Sequence, residues 1–86
     1  MIHIRPEIEG KIRTKHHLTG DEVRSTFVMQ PDVSGAWEDH PTYGRRYVAI
    51  GLSYEGRPVI AWFFELDGAE GVWDLGTARY VDPGKG

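Results

Sequence analysis

Arg46-Tyr47-Val48-Ala49-Ile50-Gly51-Leu52-Ser53-Tyr54 decides the fold of this 86-residue chain. Arg46, Val48, Ile50, Leu52 and Tyr54 alternate with Tyr47, Ala49, Gly51 and Ser53, and a period of two marks a strand with one strongly apolar face. Glu55-Gly56 supplies a hairpin turn. The return strand, Arg57 to Leu66, contains Val59-Ile60-Ala61-Trp62-Phe63-Phe64; it is apolar on both faces and so belongs in the middle of a sheet. Asp67-Gly68-Ala69-Glu70-Gly71 turns the chain again, and a last strand runs from Val72 to Val81. Upstream, Ala36-Trp37-Glu38-Asp39 reads as a short strand within a segment rich in Pro, Gly, Asp and His, and residues 2–4 as a short edge strand.

Between these lie two helices. Pro6 suits a first helical turn, where its missing N–H costs nothing, and that helix runs to about His17, weakened by Gly10. At about 100° per residue, Ile8 and Ile12 define its apolar stripe, with Lys15 and His16 within about 60° on either side and His17 pointing to solvent. Lys15 and His16 are therefore expected to face whatever the helix packs on. Thr19-Gly20-Asp21-Glu22 matches a capping box, and Leu18 and Val23 occupy the positions of a hydrophobic staple. The second helix is expected over about 20–29, burying Val23 and Phe27 and stopping before Pro31. Helices first and an antiparallel meander afterwards predict an α+β domain with the helices on one face of the sheet.

Length allows one domain, expected over residues 1–82, with 83–86 as a disordered tail. The absence of cysteine excludes a disulfide scaffold and a thiolate metal site. No apolar run approaches the roughly 18 residues of a membrane span, and Met1-Ile2-His3-Ile4-Arg5 lacks the apolar region of a signal peptide, so the expectation is a soluble, cytoplasmic protein with no membrane partner. The net charge of −3 argues against a general nucleic-acid binder. A local basic face is still possible, because Arg5, Lys11, Arg13, Lys15 and Arg24 cluster early and Arg45, Arg46, Arg57 and Arg79 follow on the strands.

His3, His16, His17 and His40 have no helical i, i+4 pairing of the kind that holds a metal, and Asp32 to Asp39 lacks calcium-loop spacing; no metal or cofactor is expected. Phosphate loop, nucleophile elbow and dinucleotide fingerprint are absent from the sequence. The alternation of the last strand puts Arg79 on the face of Trp73 and Leu75, emerging at its rim. Arg45 and Arg46 stand at the entry of the first long strand, and nothing in the strand directions requires them to lie near Arg79.

Three segments, in order, resemble one family. Lys15-His16-His17-Leu18-Thr19-Gly20-Asp21-Glu22-Val23, with Phe27 beyond, resembles the Lys-His-Gly-Val-Ser-Phe-Glu-Glu-Ala…Val-Phe signature of BrnT-type toxins. Arg46-Tyr47-Val48-Ala49-Ile50-Gly51 is similar to their strand Arg-x-x-x-(Ile/Leu)-Gly, and Thr77-Ala78-Arg79 to their Ser-Ala-Arg. The likeness spans about residues 7–81. His17 stands where the family has glycine, Arg45 where a glutamate is common, and Tyr80 where another arginine is usual. The basic helical tail is reduced to Asp82-Pro83-Gly84-Lys85-Gly86.

The resemblance implies a RelE/ParE-like fold and the toxin of a bacterial type II toxin–antitoxin pair, a metal-independent endoribonuclease that arrests translation. Its partners would be a cognate antitoxin, RNA as substrate, and operator DNA only through the antitoxin. Carried over, the catalytic positions are Lys15, His16, Arg46 and Arg79, with Arg45, Tyr47 and Tyr80 as substrate contacts. Attack of a 2′-hydroxyl on the adjacent phosphate needs a proton acceptor, a donor to the leaving oxygen and cations for the developing charge. His16 can accept or donate near neutrality, and arginine can grip phosphate bidentately. Such a site requires Lys15, His16 and at least one of Arg46 and Arg79 to converge on one open surface. The alternative, an inactive toxin-fold binding module, predicts instead an exposed apolar groove or sheet edge.

Overall fold

The computed structural model describes residues 1–28, 33–53, 55–67 and 71–81. The chain runs β1 (Ile2–His3), α1 (Pro6–His16), α2 (Gly20–Val28), β2 (Ser34–His40), β3 (Gly44–Leu52), β4 (Pro58–Asp67) and β5 (Val72–Tyr80). It is an α+β fold with two helices on one five-stranded sheet of order β1-β5-β4-β3-β2. The last four strands form an antiparallel meander, and β1 pairs parallel with β5 at the far edge. The second strand is longer than its apolar residues suggest, because Ser34 to His40 pairs in unbroken register with Ile50 to Gly44. The expected end of α2 at 29, the turn at 68–70 and the tail lie outside the described residues.

Helix α1 starts at Pro6 with Glu7 and Glu9 in its first turn and ends with Arg13, Lys15 and His16 in its last, each charge on the side the helix dipole favours. It stops because His17 turns left-handed, at φ 57°. The His17 N–H donates to the Arg13 carbonyl and the Leu18 N–H to that of Ile12, both at 3.2 Å. This turn drops Leu18 into the core, where it and Val23 are fully buried as the staple requires. The cap is only partly as expected. The Glu22 N–H donates to Thr19 Oγ1 at 3.2 Å, but the Glu22 carboxylate accepts from the Thr19 hydroxyl at 3.4 Å. Glu9 of α1 supplies the remaining acceptor, taking the Gly20 N–H at 3.1 Å, so one helix caps the other.

Both helices pack on the side of the sheet that carries its small residues. Ala49, Ala61 and Ala78 pair directly across β3, β4 and β5 and are buried with Ile12, Leu18, Val23, Val59, Phe63 and Leu75. Gly51 belongs to the same side, where a Cβ would lie 2.8 Å from Thr26 Cγ2 of α2. Phe27 closes the core edge-on against Phe63 at 5.3 Å. The larger side chains of the same strands point the other way. Val48, Ile50 and Leu52 of β3 and Ile60, Trp62 and Phe64 of β4 share the opposite face, on which Ile50 and Leu52 are 45% and 52% exposed. The strongly apolar face of β3 is thus the open one, because small residues let α2 approach the backbone.

One irregularity sets the site. Trp62 pairs with Thr77 but Phe63 with Leu75, leaving Gly76 as an extra residue in β5. This bulge breaks the alternation. Leu75 and Ala78 are both buried, while Arg79 is exposed and pairs with Ile60 on the open face. The expectation that Arg79 shares the face of Trp73 and Leu75 is therefore wrong.

Candidate functional site

His16 ends α1 half-buried, in line with Ile8 and Ile12 at intervals of four. Its pKa is pushed below the ordinary histidine value, first by burial and then by the positive charges of Arg79, Lys15, Lys11 and His17. Both causes favour the neutral imidazole, the form a proton acceptor needs. None of the charged groups shifting its pKa is a carboxylate. An anion placed among them would relieve that repulsion.

Lys15 departs from its expected place. It is exposed, as is Lys11 one turn earlier, because the buried line of α1 runs Ile8, Ile12, His16 and leaves Lys15 on its solvent side. Only His16 follows the apolar stripe. His17 is exposed, as its angle on the helix required.

Arg79 and Arg46, which strand directions gave no reason to bring together, meet at one aromatic ring. Each guanidinium carbon is 5.6 Å from the Trp62 ring centroid, so the two lie no further apart than twice that distance. The reason is the meander: β3 and β5 both border β4, and Arg46 and Arg79 are two residues from Trp62's direct partners, Val48 and Thr77, on opposite diagonals. The two arginines differ in charge balance. Arg46 is 15% exposed and holds Glu38 Oε1 with both Nε and Nη2 at 2.6 Å. Arg79 is exposed, without a carboxylate within 4 Å among the described residues, and acts on His16.

The three expected substrate contacts are engaged elsewhere. Arg45 lies over the Trp37 ring at 4.4 Å. Tyr47 packs against the core and against Trp37 and Trp73, at 5.3 and 5.7 Å between rings. The Tyr80 hydroxyl donates to Glu22 Oε2 at 2.6 Å, and Arg57 covers its ring at 3.8 Å. That hydrogen bond to a carboxylate, with burial added, raises the phenol's pKa to about 12. Tyr80 ties the end of β5 to the start of α2.

The charges of Arg79, Lys15 and Lys11 act on His16, and Arg46 and Arg79 meet at the Trp62 ring. Lys11 and Trp62 were missed in the sequence. Trp62 looked like core, and the signal that could have exposed it was the row of alanines: where Ala49, Ala61 and Ala78 line one side, the large residues between them must line the other. Among the described residues no three His, Cys, Asp or Glu side chains gather as a metal site, and no helix is long and apolar enough to cross a membrane. No family model matches the chain, and no curated protein matches it either.

Proposed function

We propose that this protein is the toxin of a type II toxin–antitoxin pair, a metal-independent endoribonuclease of the BrnT type that arrests translation and is neutralised by a cognate antitoxin. The observation that carries the reading is a half-buried imidazole at the end of α1 whose pKa is lowered by burial and by positive charges, with Arg79 the foremost charge upon it. The ordered likeness of residues 7–81 to BrnT-type toxins supports it, as does an α+β fold with its helices on one side of the sheet.

In the proposed reaction His16 takes the proton of a 2′-hydroxyl as its oxygen attacks the adjacent phosphorus. The bond to the 5′-oxygen breaks, and that oxygen leaves with a proton from Lys15. A 2′,3′-cyclic phosphate and a 5′-hydroxyl remain. Arg79 offsets the charge that grows on the phosphoryl oxygens, where a preorganised cation contributes most. Arg46 acts more weakly, because Glu38 already holds its guanidinium.

The test is expression of the chain alone in bacteria, followed by growth and by mapping of RNA ends. Growth arrest with cyclic-phosphate ends is expected, and His16→Ala should lower cleavage by about 10²- to 10⁴-fold, the usual contribution of a general base. Intact RNA and normal growth with the wild type would sink the nuclease. A second reading, an inactive toxin-fold module that acts by pairing with another protein, has its own support in the exposed Ile50 and Leu52 and predicts partner binding without any cleavage.

A further inference from the structure

Across the open face of the sheet, aromatic and guanidinium groups alternate in one continuous line. The Arg46 guanidinium carbon is 5.6 Å from the Tyr43 ring and 5.6 Å from the Trp62 ring, and that of Arg79 is 5.6 Å from Trp62 on the other side. The order Tyr43, Arg46, Trp62, Arg79 runs from the turn before β3 diagonally over β4 to β5, on the side of the sheet away from the helices. Tyr43 is 62% exposed, Trp62 is half-buried and Arg79 is exposed.

We propose that this line is a binding track for single-stranded RNA, in which Tyr43 and Trp62 stack on bases and Arg46 and Arg79 follow the phosphates. The inference rests on the ribonuclease reading for the choice of RNA over DNA, but not for the binding itself. Sheet surfaces bind single strands by stacking successive bases on aromatic side chains, and sequence-independent binding couples such platforms to a cationic path along the backbone. A duplex hides the faces of its bases, so a flat track of this kind selects unpaired strands. A protein partner would need only the apolar residues nearby, whereas alternation of planar cations and planar rings matches the repeat of a nucleic acid. Glu38 then has a defined part: its carboxylate occupies the Arg46 fork that a phosphate would otherwise fill, holding the guanidinium in place and weakening RNA binding.

The experiment uses the full chain in a His16→Ala background, so that RNA is not cut, and fluorescence anisotropy with a labelled single-stranded RNA of mixed sequence. Base stacking on an aromatic side chain is worth about 1–3 kcal/mol, so Tyr43→Ala and Trp62→Ala should each weaken binding about 5- to 150-fold, with Trp62→Phe losing less. Glu38→Gln should tighten binding, a gain that a merely structural role for the Arg46 pair would not produce. Photo-cross-linking with 4-thiouridine RNA should label the peptides holding Tyr43 and Trp62. Because Tyr43 is on an exposed turn, its variant tests the track even if Trp62→Ala fails to fold. The proposal is overturned if Tyr43→Ala binds like its parent, if duplex RNA of the same sequence binds equally well, or if cross-links map to Trp37, Tyr47 and Trp73. Cleavage by the wild type with no effect of the track variants removes the track and leaves the nuclease. Binding on the track with no cleavage by the wild type keeps the track and removes the nuclease.

Discussion

His17 holds left-handed backbone, at φ 57°, the geometry that glycine adopts without cost and other residues adopt at about 1–2 kcal/mol. The BrnT-type glycine to which it corresponds thus has a physical reason to be there. His17→Gly should stabilise the protein by up to about 1 kcal/mol, the relief being partly offset by the greater freedom of glycine in the unfolded chain. His17→Val should destabilise it, and urea titration of the three proteins checks the order. Two titrations belong to the same scale. Because the folded pKa of His16 lies below its unfolded value, the unfolded chain binds more protons just below the ordinary histidine pKa. Stability should therefore rise with pH through that window and fall as pH drops through it. His16→Gln should flatten the slope in calorimetry, and the acid limb of RNA cleavage should lie below the ordinary histidine value. Tyr80 behaves oppositely. Its pKa is raised to about 12, so the stability it contributes is complete below the unfolded value near 10 and is lost as pH climbs from there towards 12. Tyr80→Phe should cost about 1–2 kcal/mol at neutral pH through the lost hydrogen bond to Glu22 and remove that alkaline dependence.

Among the elements, strands and helices could be located from periodicity, since alternation and capping are local and depend on nearby residues. Residues 44–52 and 58–67, the capped start at Gly20 and the helix at Pro6 all follow from such patterns. What each face touches is not local. The alternation of β3 reveals two sides but not that α2 covers the smaller, a choice made by Thr26 against Gly51. Nor does any nearby residue announce that Glu9 will cap α2, or that Lys15 lies on the solvent side of the helix while His16 lies on its buried line. His16 could be singled out because it keeps the spacing of Ile8 and Ile12. Arg79, whose charge acts on it, could not be placed, because its face depends on a count of residues in β5. The small face gives a direct test. Ala61→Leu should cost about 1–3 kcal/mol by overpacking, whereas Leu52→Thr, on the opposite side, should change stability by less than about 0.5 kcal/mol. Chemical denaturation of the pair decides which face is covered.

For the molecule as a whole, a net charge of −3 conceals an uneven distribution. The cations around His16 lack a carboxylate among the groups acting on it, while Glu38, Glu22 and Asp74 are occupied by Arg46, Tyr80 and Arg5. RNA binding should accordingly be weak and only shallowly dependent on salt, because few phosphates are neutralised and each releases counterions. Raising ionic strength should weaken anisotropy binding with a slope of only about two or three phosphates, at about 0.7 per phosphate for single strands. A slope near zero would mean that the cations do not touch the backbone.

Gly76 gives the last strand a phase as well as a sequence. The residues of β5 after it answer to the face opposite the one their count from Trp73 would assign, so the location of Arg79 is fixed by chain length rather than by side-chain chemistry. A substitution at Gly76 would crowd the Phe64 ring at 2.7 Å and the Trp62 carbonyl at 3.3 Å. A deletion there would instead invert the remainder of the strand, sending Arg79 towards the helices and turning Ala78 and Tyr80 outwards. The reach of this one glycine therefore extends to Glu22, which would lose the phenol it holds at the far end of the strand.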